Sequence, residues 1–423
     1  MPAFLAGGRN EKDKTIMMTK PSIMKPWTRR EILRAGLATF GASAMPLVFS
    51  RAMAADAKPS NRILVVLELS GGNDGLNTLV PYADDAYYRH RPKIGIRSDK
   101  LRKIDDHYGF SAGMAGFERL YKDGRMAVVH GCGYTQPSFS HFTSMAYWHT
   151  GAPNSGEEYG WIGRVADAID TRATPNFIVN IDEVQSLAVR AREHVPVVFD
   201  DPEKFGRKGL YQERPLLDRE PDMDPEASAS KHYLLDIAKS AREASQLVRD
   251  AWARYKTPVY YGIVPVQLPK IASLIAAGMP TRLYYTAYRH NAFDTHVQQS
   301  DLHQRLLTYV SDAVAGFVKD MDRIGRGDDV TVLVFSEFGR RVPENTSLGT
   351  DHGTANHMYV IGKPVKGGHY GQAPSLTKLD EGDNLVYTTD FRRVYASVID
   401  GWLGCKDAEQ LLSGKFETFP VFS

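Results

Sequence analysis

Ten side chains able to do acid, base, nucleophilic or metal chemistry fall where apolar runs of this sequence end. The run Thr331–Phe335 leads into Ser336, Glu337, Phe338, Gly339 and Arg340. Asp351, His352 and His357 follow, just before the apolar Met358–Ile361. Asp74 comes after the run Asn61–Leu69, Ser140 and His141 after Met126–His130, and Asp294 and His296 after Thr281–Ala287. Carboxylate oxygens mixed with imidazoles suit Zn, Mn or Fe, or Ca or Mg where the histidines stay outside the shell. Two separated acid–imidazole groups could hold two metals. Such a pair would activate a water or a serine and neutralise the oxygens of a phosphate or sulfate ester. Arg340 and Arg341 offer guanidinium forks for an anionic leaving oxygen. Ser140, entering a helix predicted over Phe142–His149, stands where a nucleophile or oxyanion group would; Ser138 competes for the role, and a plain helix cap is the alternative. A Ser-His-Asp triad is the rival chemistry, weakened by the absence of a G-x-S-x-G elbow. Asp74 could equally close its strand as an Asx turn, and Asp294 and His296 could satisfy the start of the next helix.

To bring such scattered groups together, the runs must be strands of one sheet whose carboxyl ends share an edge. The runs are short and almost wholly apolar, as expected of parallel strands covered on both faces. Helical spacing separates them: Met114, Phe117 and Leu120 after Phe110, then stretches starting at Gly160, Lys231, Lys270, Leu306 and Phe391. This alternation predicts an α/β fold, a three-layer α/β/α sandwich with a mostly parallel central sheet. Residues 200–230 are polar and aperiodic and read as an exposed insertion.

With 423 residues, 43% hydrophobic and 24% charged, the chain can bury a large core. Its formal charge of +2 is unevenly spread. Residues 1–55 hold nine Lys/Arg against three acids, leaving the remainder four charges negative, with no footprint for nucleic acid. The basic N-terminus ends in Arg29-Arg30, continues into a Gly/Ala-rich moderately apolar run and reaches Ala52-Met53-Ala54. This resembles a twin-arginine export signal spanning residues 1–55, implying the twin-arginine translocation machinery as a partner and the periplasm or the exterior as destination. From residue 56 on no apolar run reaches 18 residues, so no transmembrane anchor is expected there. Two cysteines, Cys132 and Cys405, exclude a cysteine-rich metal site and could pair after export.

The export signal, LELSGGNDGLNTLVPY, PSFSHF, GWIGR, FDTH, SEFGRRVPENTSLGTDHG and the late TTDFR together resemble the DUF1501 family of exported bacterial proteins. Members are grouped with the alkaline-phosphatase/sulfatase superfamily. The resemblance implies that fold over residues 56–423 as a single domain, with one or two divalent ions (Zn, Mn or Ca) acting on an anionic ester substrate. It makes Asp74 the first-strand metal acid, Ser140 or Ser138 the nucleophile, and Asp294 with His296 the ligands of one metal. SEFG stands in the place of the superfamily's SDHG, so Glu337 replaces an aspartate and Phe338 replaces a histidine ligand. His352 matches the late histidine, with Asp351 or His357 compensating. The substituted ligand leaves a second implied class: a catalytically degenerate member acting as a periplasmic or surface binding or assembly protein.

Overall fold

The computed structural model describes residues 61–205, 244–288 and 290–422, which belong to one compact unit, Asn61–Ser423. The export segment and residues 206–230 of the expected insertion lie outside these described residues. The described residues form twelve strands: β1 (Ile63–Leu69), β2 (Leu79–Val80), β3 (Arg102–Lys103), β4 (Gly109–Phe110), β5 (Met126–Gly133), β6 (Ile178–Ile181), β7 (Val197–Phe199), β8 (Leu283–Tyr288), β9 (Val330–Phe335), β10 (Asn356–Ile361), β11 (Gly368–Tyr370) and β12 (Thr389–Asp390). Nine form the central sheet in the order β11-β5-β10-β9-β1-β8-β6-β7, with β12 alongside β5, and β2, β4 and β3 make a small antiparallel sheet. Within the central sheet pairing is parallel except at β10, which runs against both β9 and β5.

β1 shows why this is a sandwich. Every residue of its ILVVLEL run is buried, and alternate side chains enter different cores. Val65 and Leu67 join Phe117, Ile271, Leu307 and Phe317 in one core; Leu64 and Val66 join Trp148, Trp161, Val165 and Tyr395 in the other. The first layer is carried by the helices Ala115–Lys122, Leu268–Ala276 and Gln299–Arg323, and the second by His141–Thr150, Trp161–Ile169 and Arg392–Ala396. This is the expected α/β/α class with its mostly parallel sheet.

Glu68 is the anomaly in β1, a carboxylate 2% exposed in a hydrophobic strand. Such a charge requires partners. It has them in His149 Nε2 at 2.7 Å and the Tyr285 hydroxyl. Burial alone would raise its pKa, yet His149 and Tyr285 bring it below the ordinary carboxylate value. Cys132 and Cys405 are both buried and unpaired, and burial pushes the Cys405 thiol up to about 11. No helix among the described residues is long and apolar enough to cross a membrane.

Candidate metal centre

Because β1, β5, β8 and β9 point the same way, the loops after them emerge at one edge. The segment after β8 supplies Asp294 and His296, the helix after β5 supplies His141, the end of β9 supplies Glu337 and Arg340, and the β9–β10 connection supplies Asp351 and His352. Asp294 Oδ1 lies 3.0 Å from His296 Nε2 and 3.1 Å from His352 Nε2; its Oδ2 lies 3.3 Å from His141 Nε2. The Nε2 atoms of His296 and His352 are 2.9 Å apart. His141, Asp294 and His352 each present a ligand atom within 4.8 Å of the other two, a group able to hold a metal ion.

The far side of each ring explains the near side. His141 Nδ1 is 2.8 Å from Glu337 Oε1, His296 Nδ1 is 3.3 Å from Asp351 Oδ1, and His352 Nδ1 is 2.7 Å from the Phe139 carbonyl. Each Nδ1 meets an acceptor and each Nε2 faces an Asp294 oxygen, so a ring that keeps its single proton on Nδ1 turns its Nε2 lone pair toward the centre, the tautomer that a bound cation selects. In that tautomer three lone pairs converge on a carboxylate, an arrangement that a cation among them relieves. Imidazoles whose outer nitrogen donates to a carboxylate or carbonyl are the usual arrangement around a protein-bound metal. Ligands about 2.0–2.1 Å from one tetrahedral zinc lie about 3.3–3.4 Å apart; the His141–Asp294 separation of 3.3 Å matches this, and those at His296 and His352, 2.9–3.1 Å, are a few tenths shorter. His141 Nε2 is buried without hydrogen-bond geometry to any partner, although Asp294 stands at ion-pair distance.

Titration follows the same fields. The Glu337 hydrogen bond raises the His141 pKa, against the effect of burial. Burial lowers that of His352, opposed by the Phe139 carbonyl and Asp294. Burial would raise Asp294, but Arg340 and His352 hold it down at about 2.

Glu337 and Arg340 form a bracket around the Gly71–Gly72 turn after β1. Glu337 accepts both amide N–H groups, at 2.8 and 3.0 Å, while Arg340 donates to both carbonyls. Arg340 also donates to Thr350 O, Phe293 O and Asp294 Oδ1 and is fully buried. The expected clamp on a leaving oxygen is therefore spent on positioning Asp294 and the turn. Gly71 has φ +116°, and a Cβ there would lie 2.5 Å from the Asp294 amide nitrogen. Gly71→Ala should destabilise the fold by on the order of 3 kcal/mol and weaken metal retention, measured by thermal denaturation and metal titration; an unchanged Tm would contradict this placement.

The remaining sequence-derived candidates are distributed differently. Glu337 and Asp351 stand behind the histidines, orienting His141 and His296. Asp74 is not brought to the cluster. Its Oδ1 caps the helix Gly75–Thr78 through Leu76 and Asn77 N–H, and its Oδ2 takes Arg91 at 2.7 Å and Gln299 at 2.6 Å. Its lone pairs are thus occupied, closer to the Asx-turn reading than to the ligand reading. His357 lies in a separate imidazole group with its ring 5.0 Å from that of His130, which in turn meets His369 Nδ1 at 2.7 Å. Burial and the nearby His369 lower the His357 pKa to about 4. Ser140 occupies the N-cap position, but its hydroxyl makes no capping bond and the residue is exposed. Phe338, 1% exposed, packs its ring against those of His141 and His352 at 5.0 and 4.5 Å. Arg91 and the Phe139 carbonyl were not foreseen; Arg91 carries no motif, and a carbonyl leaves no mark in sequence.

A family model described as "Protein of unknown function (DUF1501)" matches residues 277–395. That segment contains Asp294, His296, Glu337, Arg340 and His352. No curated protein matches the chain. Among solved structures, the chain is similar to the C-terminal periplasmic domain of EcEptC from Escherichia coli in complex with Zn, at 12% identity and TM-score 0.33, over 73% of this chain and 75% of that one. It is similar to the PsFucS1 sulfatase from Pseudoalteromonas sp. at 12% identity and TM-score 0.37, over 86% and 71%. The phosphonate monoester hydrolase SpPMH from Silicibacter pomeroyi gives 10% identity and TM-score 0.35, over 84% and 75%.

Proposed function

We propose that this chain is an exported hydrolase of phosphate or sulfate esters, of alkaline-phosphatase-like descent, working with one divalent ion held by His141, Asp294 and His352 and approached by His296. The observation that carries the proposal is the convergence of three Nδ1-anchored imidazoles on one carboxylate. An ion there supplies a Lewis acid for the ester oxygen and for the attacking hydroxyl. The chain's own residues do the rest. Glu337, Asp351 and the Phe139 carbonyl fix the rings, Arg340 fixes Asp294, and buried Phe338 excludes water from one side. Ser140, exposed and one residue before His141, is the nucleophile in this reading. Export rests on the Arg29-Arg30 segment.

Zinc or manganese content of the exported protein, followed by turnover of aryl phosphates and aryl sulfates, tests the proposal. Ser140→Ala is expected to lower kcat by at least about a thousandfold while leaving metal content intact. Unchanged turnover would transfer the nucleophile's role to water. The degenerate-member reading, motivated by Phe338 at a ligand position, is favoured instead by a fully folded protein that holds no metal and turns over no ester.

A further inference from the structure

His194 belongs to neither imidazole group described above. It lies in the segment that joins the turn Leu187–Val189 to β7, the last strand in the sheet order, which pairs with β6. Its side chain is 2% exposed, and each ring nitrogen meets a different carboxylate. Nδ1 is 2.8 Å from Asp167 Oδ1 and Nε2 is 3.2 Å from Asp170 Oδ2. These aspartates occupy the last turn and the C-cap of the helix Trp161–Ile169. A neutral imidazole has one N–H and can donate to only one of them. Its other nitrogen would turn a lone pair toward the second carboxylate, at a place water scarcely reaches. Only the imidazolium satisfies both.

The same carboxylates hold the backbone. Asp167 accepts the successive N–H groups of Arg192, Glu193 and His194 at 2.8, 3.2 and 3.2 Å, and Asp170 accepts those of Arg172 and Thr174. The other charged groups nearby are less closely engaged. The exposed Arg172 stands 3.9 Å from Asp170, Arg282 shares the field of Asp170, and Arg190 and Arg192 lie over the Tyr159 ring. Glu193 is exposed, and the Phe177 ring packs 5.2 Å from the imidazole. We infer that His194 is a pH-operated latch: as an imidazolium it ties residues 190–196 to the end of the Trp161–Ile169 helix, and loss of one ring proton frees that segment. Burial alone would lower the His194 pKa, but hydrogen bonds and charge from Asp167 and Asp170 raise it above the ordinary value. The latch therefore contributes in full below the ordinary histidine value and is lost as pH rises through the raised one.

The His141 pKa is raised as well, so the test has to be local. In the exported protein, two-bond proton–nitrogen correlation of the histidine rings reports protonation, and His194→Gln identifies the His194 signals. At neutral pH both ring nitrogens of His194 are expected to carry protons. Hydrogen exchange of residues 190–196, divided by the intrinsic rate, should rise about tenfold or more at the pH where the ring loses its proton, with β1 as the protected reference. In His194→Gln the segment should exchange fast at every pH. Asp170→Asn removes one of the two carboxylates and should carry both transitions together to lower pH; should that variant not fold, the wild-type ring and segment decide alone. A neutral His194 ring at neutral pH, or segment protection that does not change when the ring deprotonates, overturns the inference.

Discussion

His352→Ala is expected to weaken zinc binding by on the order of a hundredfold or more, since a three- to four-ligand site divides a binding free energy of about 10–16 kcal/mol among its ligands. The side chain can be removed at modest structural cost. It is only partly buried, and its contacts are to Asp294, His296, the Phe139 carbonyl and neighbouring rings, all within the cluster. Competition with a chromophoric chelator measures the affinity, and a thermal scan without metal checks the fold. Glu337→Gln should cost about ten- to a hundredfold through loss of the carboxylate behind His141, together with some stability, because Glu337 also ties down the Gly71 and Gly72 amides. Zinc affinity unchanged by His352→Ala would remove the metal centre. A loss confined to Glu337→Gln would move the ligand role outward to that carboxylate.

The framework of this site could be read from the chain because it depends on patterns that sequence displays. β1, β9 and β10 are built on mostly apolar runs, and each appears within two residues of its predicted limits. The polar groups emerge at strand ends, so Asp294, His296, Glu337 and His352 could be gathered without knowing the sheet order. The division of labour among them was less accessible. Whether a carboxylate holds a metal or orients the histidine that does depends on which ring nitrogen it meets, a matter of about 3 Å across elements some 200 residues apart. His141, expected beside the catalytic serine, presents its Nε2 to the candidate centre, and Glu337, expected as a ligand, meets the far side of that ring. Asp74 was hard to place for a related reason. A buried acid after the first strand looks the same in sequence whether a cation or an arginine neutralises it, and Arg91 stands in an unremarkable turn. Glu68 offered a signal that could have been used, since a lone carboxylate within ILVVLEL must bring a partner with it.

Asp74→Asn should produce the opposite pattern to His352→Ala: metal affinity nearly unchanged, and stability lowered by about 3–5 kcal/mol, as expected when one member of a buried ion pair is removed. Asp74 and Arg91 are almost wholly buried, at 1% exposure or less. Asparagine could still cap the Gly75–Thr78 helix through its oxygen. Its amide would then point N–H groups at Arg91 and at the Gln299 amide, both donors, leaving the guanidinium charge uncompensated. The pH dependence has a fixed sign. Burial acts to raise the Asp74 pKa, but Arg91, His303 and Gln299 bring it below its ordinary value. The wild-type pair therefore contributes in full above the unfolded carboxyl pKa, near 3.9, and its contribution is lost as pH falls through the lower folded value. Urea unfolding of the metal-free protein should show the gap between wild type and Asp74→Asn constant from neutral pH down to about 5, then narrowing in more acidic solution. A gap that widens on acidification, or a variant that loses zinc while keeping its stability, would return Asp74 to the metal.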